Sequence, residues 1–517
     1  MTAAAPAAAA ASQDGEPQVR WTVVLAVVLT AVLEVLDSTI VNVALPHIKA
    51  SFGITSDQTV WIVTSYIVAS VAVMPLTGLL SRRYGRRRLI ITAILGFAAF
   101  SMLGGLASSI ETMVAFRLGQ GFFGAFLIPL SQSILFQSFS RENRGKAMAM
   151  FGLGVVVAPV LGPTIGALLT EHFSWRAVFY VNLPIAGFAL AMIMGELPRE
   201  DIREVRVDWM GLGLMVVAIG ALQMTLDLGE SRGWFDSRLI QVAALVALIT
   251  SVTFVVRGWS LRENIIDFAI LRDRSFAAAN VAIMGFGVAM FGSIAILPLF
   301  VQGLLGYPIL DAGYLFMPRG VAAGFSMVIT GAVLSRKLDP RFMMIVGLLL
   351  TGTGNIMLSW LNLDAGFWDL SWPGVVSGLG MGLFFVPMST LAFQNVTSEK
   401  QDEASGLYGV TRSLGSSVGI AIIGWQVARR TSLHYATLIG GVTVFDRPFA
   451  AWLAPQGLTP QSPAAAARLA EVVSQQATMM AFQDAFLLSG IAAFAMIPLA
   501  FAMQKPMAAA GGGAMAH

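Results

Sequence analysis

A chain of 517 residues that is 56% hydrophobic and only 12% charged carries more apolar surface than a water-soluble domain can bury. Its 32 Lys and Arg against 29 Asp and Glu leave a net charge of +3, gathered in short clusters between apolar runs, which fits membrane orientation and not nucleic-acid binding. With no cysteine, and with His47, His172, His434 and His517 scattered without an HExxH spacing, thiol chemistry and metal binding are excluded as expectations, and no cofactor is expected.

The alanine-rich stretch 1–20 has no early basic region and no cleavage signal, so it reads as a disordered cytoplasmic tail, as does 504–517. Between them lie about fourteen runs long enough to cross the hydrocarbon, each of roughly 20 mostly apolar residues. They are expected at 21–45, 58–81, 88–108, 112–136, 146–169, 175–195, 208–229, 237–257, 276–303, 311–334, 342–361, 372–394, 404–428 and 480–502. The fold class is therefore an all-α polytopic membrane protein. Its parts are a six-helix bundle over 21–197, a linker with two extra membrane helices over 198–262, and a second six-helix bundle over 263–503.

The loops set the orientation. RRYGRRR, RENRGK, PREDIREVR and SRKLDPR, after the second, fourth, sixth and tenth runs, are basic, whereas the loops after the first and third hold one lysine and none. The positive-inside bias places the basic loops, and with an even span count both termini, in the cytoplasm. The long loop 429–479 then falls outside, either resting on the membrane as a short helix around Ser462 to Val473 or remaining mobile. A glycine-rich run, a proline and a small polar residue recur in MVAFRLGQGFFGAFLIPLSQSIL and SWPGVVSGLGMGLFFVPMSTLAF, an internal echo of the kind that builds a site between two rocking halves.

Charges inside these runs are the functional signal, because a charge in lipid is expensive. In LTAVLEVLDSTIVNVALP, Glu34 and Asp37 stand three apart and so share one helix face. Two carboxylates that close in a low dielectric do not both ionise readily, which is the chemistry a proton carrier requires. Glu34 lies deeper, and meeting a cationic substrate or lining a wet vestibule are its alternative roles. Arg117 stands about a turn inside the outer end of the fourth run, while Asp37 lies roughly 12 Å in from the outer end of the first. Their depths are compatible, and a buried guanidinium needs a carboxylate or carbonyls, so a pair is expected, either as part of proton coupling or as a purely structural bridge. Pro159, Gly162, Pro163 and Gly166 mark the fifth run as a hinge and close-packing surface. The cluster of Arg82, Arg83, Arg86, Arg87 and Arg88, with Gly78 and Gly85, is read as orienting the chain on anionic lipid, with a conformational latch as the alternative. Arg319 and Arg412 need partners in runs poor in carboxylates, and Asp311 and Asp484 are the acids near outer ends. For a polyspecific apolar wall the candidates are Trp61, Tyr66, Gln132, Phe384, Phe385 and Met388, each of which also suits an ordinary core or lipid-facing position.

Several of these stretches resemble the fourteen-span drug/proton antiporters of the major facilitator superfamily, in particular the multidrug efflux subunit of proteobacterial tripartite pumps. The resemblance rests on LDSTIVNVALP (Leu36–Pro46), GLLSRRYGRRR (Gly78–Arg88), RLGQGFFGA (Arg117–Ala125), GVVVAPVLGPTIGA (Gly154–Ala167) and WRAVFYVNLPIAG (Trp175–Gly187). It implies the major facilitator fold with fourteen helices in a 6+2+6 arrangement. It also implies proton-driven export of lipophilic or amphipathic compounds across the bacterial inner membrane, and communication between Arg117 and Asp37. A periplasmic membrane-fusion adaptor and an outer-membrane channel are the partners it implies. Three departures stand out: Arg82 where the family usually has aspartate, Ala167 where it has glycine, and Glu34 where close relatives carry an uncharged polar residue. A dedicated exporter of one metabolite, fatty acid or siderophore would share the same coupling residues. A membrane enzyme would need a catalytic cluster that the sequence does not offer, and no GxxxxGK[ST] loop is present to bind ATP.

Overall fold

A computed structural model of the protein describes residues 20–139, 143–197, 208–260, 268–441, 451–456, 459 and 461–504. The two terminal tails, except Arg20 and Gln504, lie outside these residues, as does most of the charged PREDIREVR stretch. The apolar runs are helices, the one local form in which every backbone amide finds its own partner without water.

The first half contains α1 (Trp21–Phe52), α2 (Ser56–Val73), α3 (Thr77–Tyr84), α4 (Arg86–Leu106), α5 (Ile110–Gly124), α6 (Leu127–Ser138), α7 (Arg144–His172), α8 (Ala177–Tyr180) and α9 (Asn182–Glu196). An accessory hairpin follows, α10 (Trp209–Gly229) and α11 (Arg238–Ser260). The second half is α12 (Arg274–Pro298), α13 (Ile309–Ile329), α14 (Ser335–Lys337), α15 (Pro340–Leu358), α16 (Phe367–Ala392), α17 (Gln401–Gly440), α18 (Pro463–Ala495) and α19 (Ile497–Ala502). Among the described residues, 12 helical stretches are long and apolar enough to cross a membrane. Beside these stand α7, of 29 residues, and α17, of 40. Each expected run overlies a helix or two helices joined end to end.

Two of those joints have a chemical cause. Pro75 opens a 3₁₀ turn, Met74–Leu76, between α2 and α3. Pro129 lacks an amide hydrogen and its ring crowds the carbonyl four residues earlier, so the fourth run breaks between Gly124 and Leu127. Both breaks leave backbone groups in need of other partners, and the second becomes part of the site.

Within the first half, α1 packs on α7 and α9, and α5 on α2 and α4; in the second, α16 packs on α13 and α15, and α17 on α12 and α18. The halves meet along two seams, α7 against α13 and α2, α3 and α6 against α17, with α10 lying over the second. The accessory hairpin is closed at its base by Arg257, whose Nε and Nη2 donate to the Asp208 carboxylate at 3.2 and 3.0 Å. That guanidinium, with the Gly211 amide, holds the Asp208 carboxyl below the usual carboxylate range.

Where a loop is expected over 429–479, helix continues at both ends. Nothing between Arg429 and Gly440 breaks α17, and α18 starts at Pro463, with the Ser462 hydroxyl accepting the Ala465 amide at 3.2 Å. The short helix expected around Ser462 to Val473 is thus the first part of one long helix. His434 and Arg430 of α17 meet Asp484 of α18 at 2.9 and 3.5 Å and tie the extensions together.

The fifth run stays helical through Pro159 and Pro163 and presents glycines to α1. A Cβ on Gly162 would stand 2.2 Å from Thr39 Oγ1, and one on Gly166 would stand 2.9 Å from the Ile40 carbonyl. Such close packing predicts that Gly162→Leu destabilises the fold by about 1–3 kcal/mol through overpacking. Gly187→Leu, at a glycine with nothing within 4 Å, should be neutral. Thermal stability of the two variants by fluorescence-detected size exclusion checks this.

Candidate functional site

The polar centre of the first half is assembled from five helices, α1, α2, α4, α5 and α9. Asp37 of α1 is 0% exposed and Arg117 of α5 is 1% exposed, and Arg117 Nη1 donates to Asp37 Oδ2 at 2.6 Å. The other carboxylate oxygen, Oδ1, accepts from Gln120 Nε2 at 2.9 Å and from Asn182 Nδ2 at 2.6 Å. Arg117 also donates to the Ile62 carbonyl at 3.1 Å and to Gln120 Oε1 at 2.7 Å, and its guanidinium lies 4.1 Å from the centre of the Tyr66 ring. Ser101 accepts a second bond from Asn182 at 3.0 Å and anchors on the Phe179 carbonyl at 2.8 Å.

Three donors, Arg117 Nη1, Gln120 Nε2 and Asn182 Nδ2, face the carboxylate. A proton on Oδ2 would take one of that oxygen's lone pairs and cancel the charge opposite Arg117, which weakens the guanidinium bond. Removing either charge outright leaves the other buried and unpaired, a cost of about 3–5 kcal/mol. The Asp37 carboxylate is thus tied on both oxygens to α5.

Glu34 sits one turn deeper and is also buried. Its Oε2 accepts the Ile128 amide at 3.2 Å and its Oε1 accepts the Ser70 hydroxyl at 3.4 Å. The Ile128 amide is one of those freed by the break at Pro129, so Glu34 caps the start of α6, where the helix dipole favours an anion. Arg412 of α17 lies within Coulombic range of Glu34, which sets a charge from each half across the seam.

At the end that carries the basic loops, the arginines bind protein. Arg82 Nη1 meets Glu403 Oε2 at 2.8 Å and Arg86 Nε meets Asp402 Oδ2 at 2.6 Å. Arg86 also donates to Gln137 and to the Ser398 carbonyl, and Ser133 donates to Asp402. Gly78 allows this approach, since a Cβ there would stand 2.6 Å from Glu403 Cα. Gly85 takes φ +81° at the turn between α3 and α4. Arg87 caps the Met194 carbonyl at 2.7 Å, and Arg83 lies over the Tyr84 ring. Arg82 and Arg86 thus bridge the two halves, and the lipid-facing reading of the cluster does not describe these two side chains.

The wall candidates scatter. Tyr66 joins the Arg117 cluster, Phe384 is fully buried and stacks on Phe286 at 4.1 Å, and Met388 is also fully buried. Phe385 and Gln132 are 5% and 3% exposed, Gln132 lying 4.0 Å from the Met148 sulfur, while Trp61 is half-buried. In this conformation most of them are packed in the core. Asp484 serves the α17–α18 extensions and not Arg319 or Arg412. Arg319 lies beside Gly374, with Nη1 enclosed and without a hydrogen-bond partner. Among the described residues no three His, Asp or Glu side chains are grouped to hold a metal.

Sequence reading alone did not single out Gln120, Asn182, Asp402 or Glu403. The available signal was weak for the amides and stronger for the acid pair, two adjacent carboxylates opening a long helix in a chain whose second half is poor in them.

With this geometry in view, the comparisons with known proteins are direct. The profile of the Major Facilitator Superfamily matches residues 27–420, and the chain belongs to that family of membrane transporters. It is 32% identical over 499 residues to the fatty acid resistance protein FarB of Neisseria gonorrhoeae, covering 95% of this chain and 97% of that one. It is 30% identical over 504 residues to the multidrug export protein EmrB of Escherichia coli K12, with the same shares covered. The crystal structure of the human organic anion transporter MFSD10 shares the fold, with TM-score 0.59 at 15% identity over 92% of this chain and 99% of that one.

The bridge between the halves predicts a charge-swap result. Arg82→Glu and Glu403→Arg should each weaken the closed arrangement, read as faster labelling of a cysteine introduced at Ser405, which is 1% exposed. The double variant should restore slow labelling.

Proposed function

We propose that the protein is a fourteen-span proton antiporter that exports lipophilic or amphipathic toxic compounds, with Asp37 as the proton carrier and Glu34 and Arg117 as its aids. The protein is a multi-pass protein of the bacterial inner membrane, with family membership and its many apolar helices as the ground. The family's members are secondary transporters and not catalysts, so no bond in the substrate is made or broken. The observation that carries the coupling is the fully buried Asp37 whose two oxygens accept from Arg117, Gln120 and Asn182.

The mechanism follows from that geometry. A proton entering from outside takes Asp37 Oδ2 and releases Arg117. The freed guanidinium keeps its Ile62 and Gln120 bonds and its place on the Tyr66 ring, so the rearrangement falls on the α1–α5 contact. With the basic loops in the cytoplasm, the Arg82–Glu403 and Arg86–Asp402 bridges close the cytoplasmic end. The α1–α5 rearrangement loosens this end and gives substrate access from within. Loss of the proton to the cytoplasm restores the pair. Glu34 and Arg412, one from each half, offer substrate a charged pair beside apolar walls.

Full span count and cytoplasmic termini belong to this reading and are supported by the lengths of α7 and α17. A periplasmic adaptor, continuing to an outer-membrane channel, is proposed to dock on the outer extensions of α17 and α18. The name of the gonococcal relative favours a second reading, export of a single carboxylate amphiphile, with the enclosed, unpartnered Arg319 Nη1 as its counter-charge.

Reconstituted protein under an imposed pH gradient tests the proposal. Uptake of a fluorescent lipophilic compound into everted-orientation proteoliposomes should require an acidic lumen and fall at least about tenfold in Asp37→Asn, a loss of about 1.4 kcal/mol or more in coupling. Uptake independent of the gradient contradicts it.

A further inference from the structure

The accessory helix α10 carries a polar group that neither the Asp37 cluster nor the bridges use. Its run MGLGLMVVAIGALQMTLDLGE is apolar apart from Gln223, Thr225, Asp227 and the terminal Glu230. Gln223 and Asp227 stand four apart, on one face. Gln223 is 0% exposed; its amide nitrogen donates to Asp227 Oδ1 at 2.9 Å and also to Ser417 Oγ of α17. Asp227 Oδ2 and Gln223 Oε1 are both enclosed and have no hydrogen-bond partner.

Charged and titratable groups on every helix that packs against α10 are otherwise engaged or distant. On α10 itself, Glu230 accepts from Trp234 at 3.0 Å. On α2, Tyr66 lies on Arg117, and Asp57 pairs with Arg232 at 3.8 Å near the outer end. On α11, Arg257 holds Asp208 and Arg238 is exposed. On α17, Arg412 faces Glu34, Tyr408 lies further in, Arg429 covers the Trp425 ring, and Arg430 and His434 reach Asp484. None is paired with Asp227.

We propose that Asp227 is a second proton-binding site, built on the accessory helix at the seam between the halves and separate from Asp37. Asp227 Oδ2 and Gln223 Oε1 are two enclosed acceptors with the Ser417 hydroxyl as the one donor beside them, and a proton on the Asp227 carboxyl supplies the second hydrogen. The step is a simple equilibrium: the carboxylic acid gives its proton to water and becomes a carboxylate, with nothing oxidised or reduced.

The position gives the proton leverage. Gly220 of α10 faces Val68 and Ala72 of α2, while Ser417 and Gly424 of α17 lie against Gln223 and Glu230. The helix therefore touches both halves where they slide past each other. A neutral Asp227 keeps α10 seated on α17; an ionised one, unpaired in an apolar seam, is stabilised when the seam parts and water enters. The accessory pair becomes a proton-responsive element and not merely an inserted spacer.

A chain without cysteine allows a direct test. Spin labels are placed on full-length protein in nanodiscs at two exposed positions flanking the seam, Leu222 of α10 and Ile422 of α17. The distance distribution is then measured across roughly pH 5.5 to 8.5, about one and a half units either side of neutrality. The wild-type distance should change with pH, and Asp227→Asn should hold it at the low-pH value. In an Asp37→Asn background, which removes the Asp37 contribution, a pH-dependent change should remain that Asp227→Asn abolishes, and Gln223→Leu should raise its midpoint by about one pH unit through loss of a hydrogen bond to a charged group. A wild-type distance that ignores pH, or a full response in Asp227→Asn, overturns the proposal. Gradient-dependent uptake tests the Asp37 reading independently, so failure of one is distinguishable from failure of the other.

Discussion

A guanidinium sealed at 1% exposure has to be answered by an anion, and the first half of the molecule is arranged around that requirement. Asp37 supplies the charge from α1, Gln120 holds acid and base together from α5, Asn182 arrives from α9, and α2 contributes the Ile62 carbonyl and the Tyr66 ring. Four helices are thereby registered on one carboxylate. Gly162 and Gly166 extend the constraint to α7, which lies against Thr39 and Ile40, a turn beyond Asp37.

Glu34 and Arg82, two of the departures from the related antiporters, find physical answers in the same structure. Glu34 spends its charge on a helix start that Pro129 leaves uncapped, so a residue expected to serve protons or substrate also holds the broken helix together. Arg82, standing where relatives carry an aspartate, meets Glu403 in the first turn of α17. There the acids complement the positive end of the helix, and Arg82 complements the acids. The bridge joins the two halves in this chain.

Much of the helical layout was legible because apolar runs in lipid have one backbone solution. The pairing of Asp37 with Arg117 was legible from depth alone, since a buried arginine has few choices. The remainder of the cluster was not, because Gln120 and Asn182 carry no charge and look like many other polar residues in spans. The bridges of Arg82 and Arg86 join positions more than three hundred residues apart, and nothing local marks their acid partners. The outer extensions were misread for a different reason. The thirteenth apolar run ends at 428, yet the end of an apolar run need not end a helix, and residues 429–440 contain no breaker before Gly440. Asp227 was not singled out in the sequence, and its enclosure with Gln223 and Ser417 is what gives it meaning.

The central claim is that proton and substrate compete through Asp37. Proton release on substrate addition to the purified protein in weakly buffered detergent, followed with a pH-sensitive dye, addresses it most directly. The account predicts release from the wild-type protein and none from Asp37→Asn, with substrate still bound by the variant. Tight substrate binding with no proton released by the wild type would contradict it and leave the Asp37–Arg117 pair a purely structural bridge.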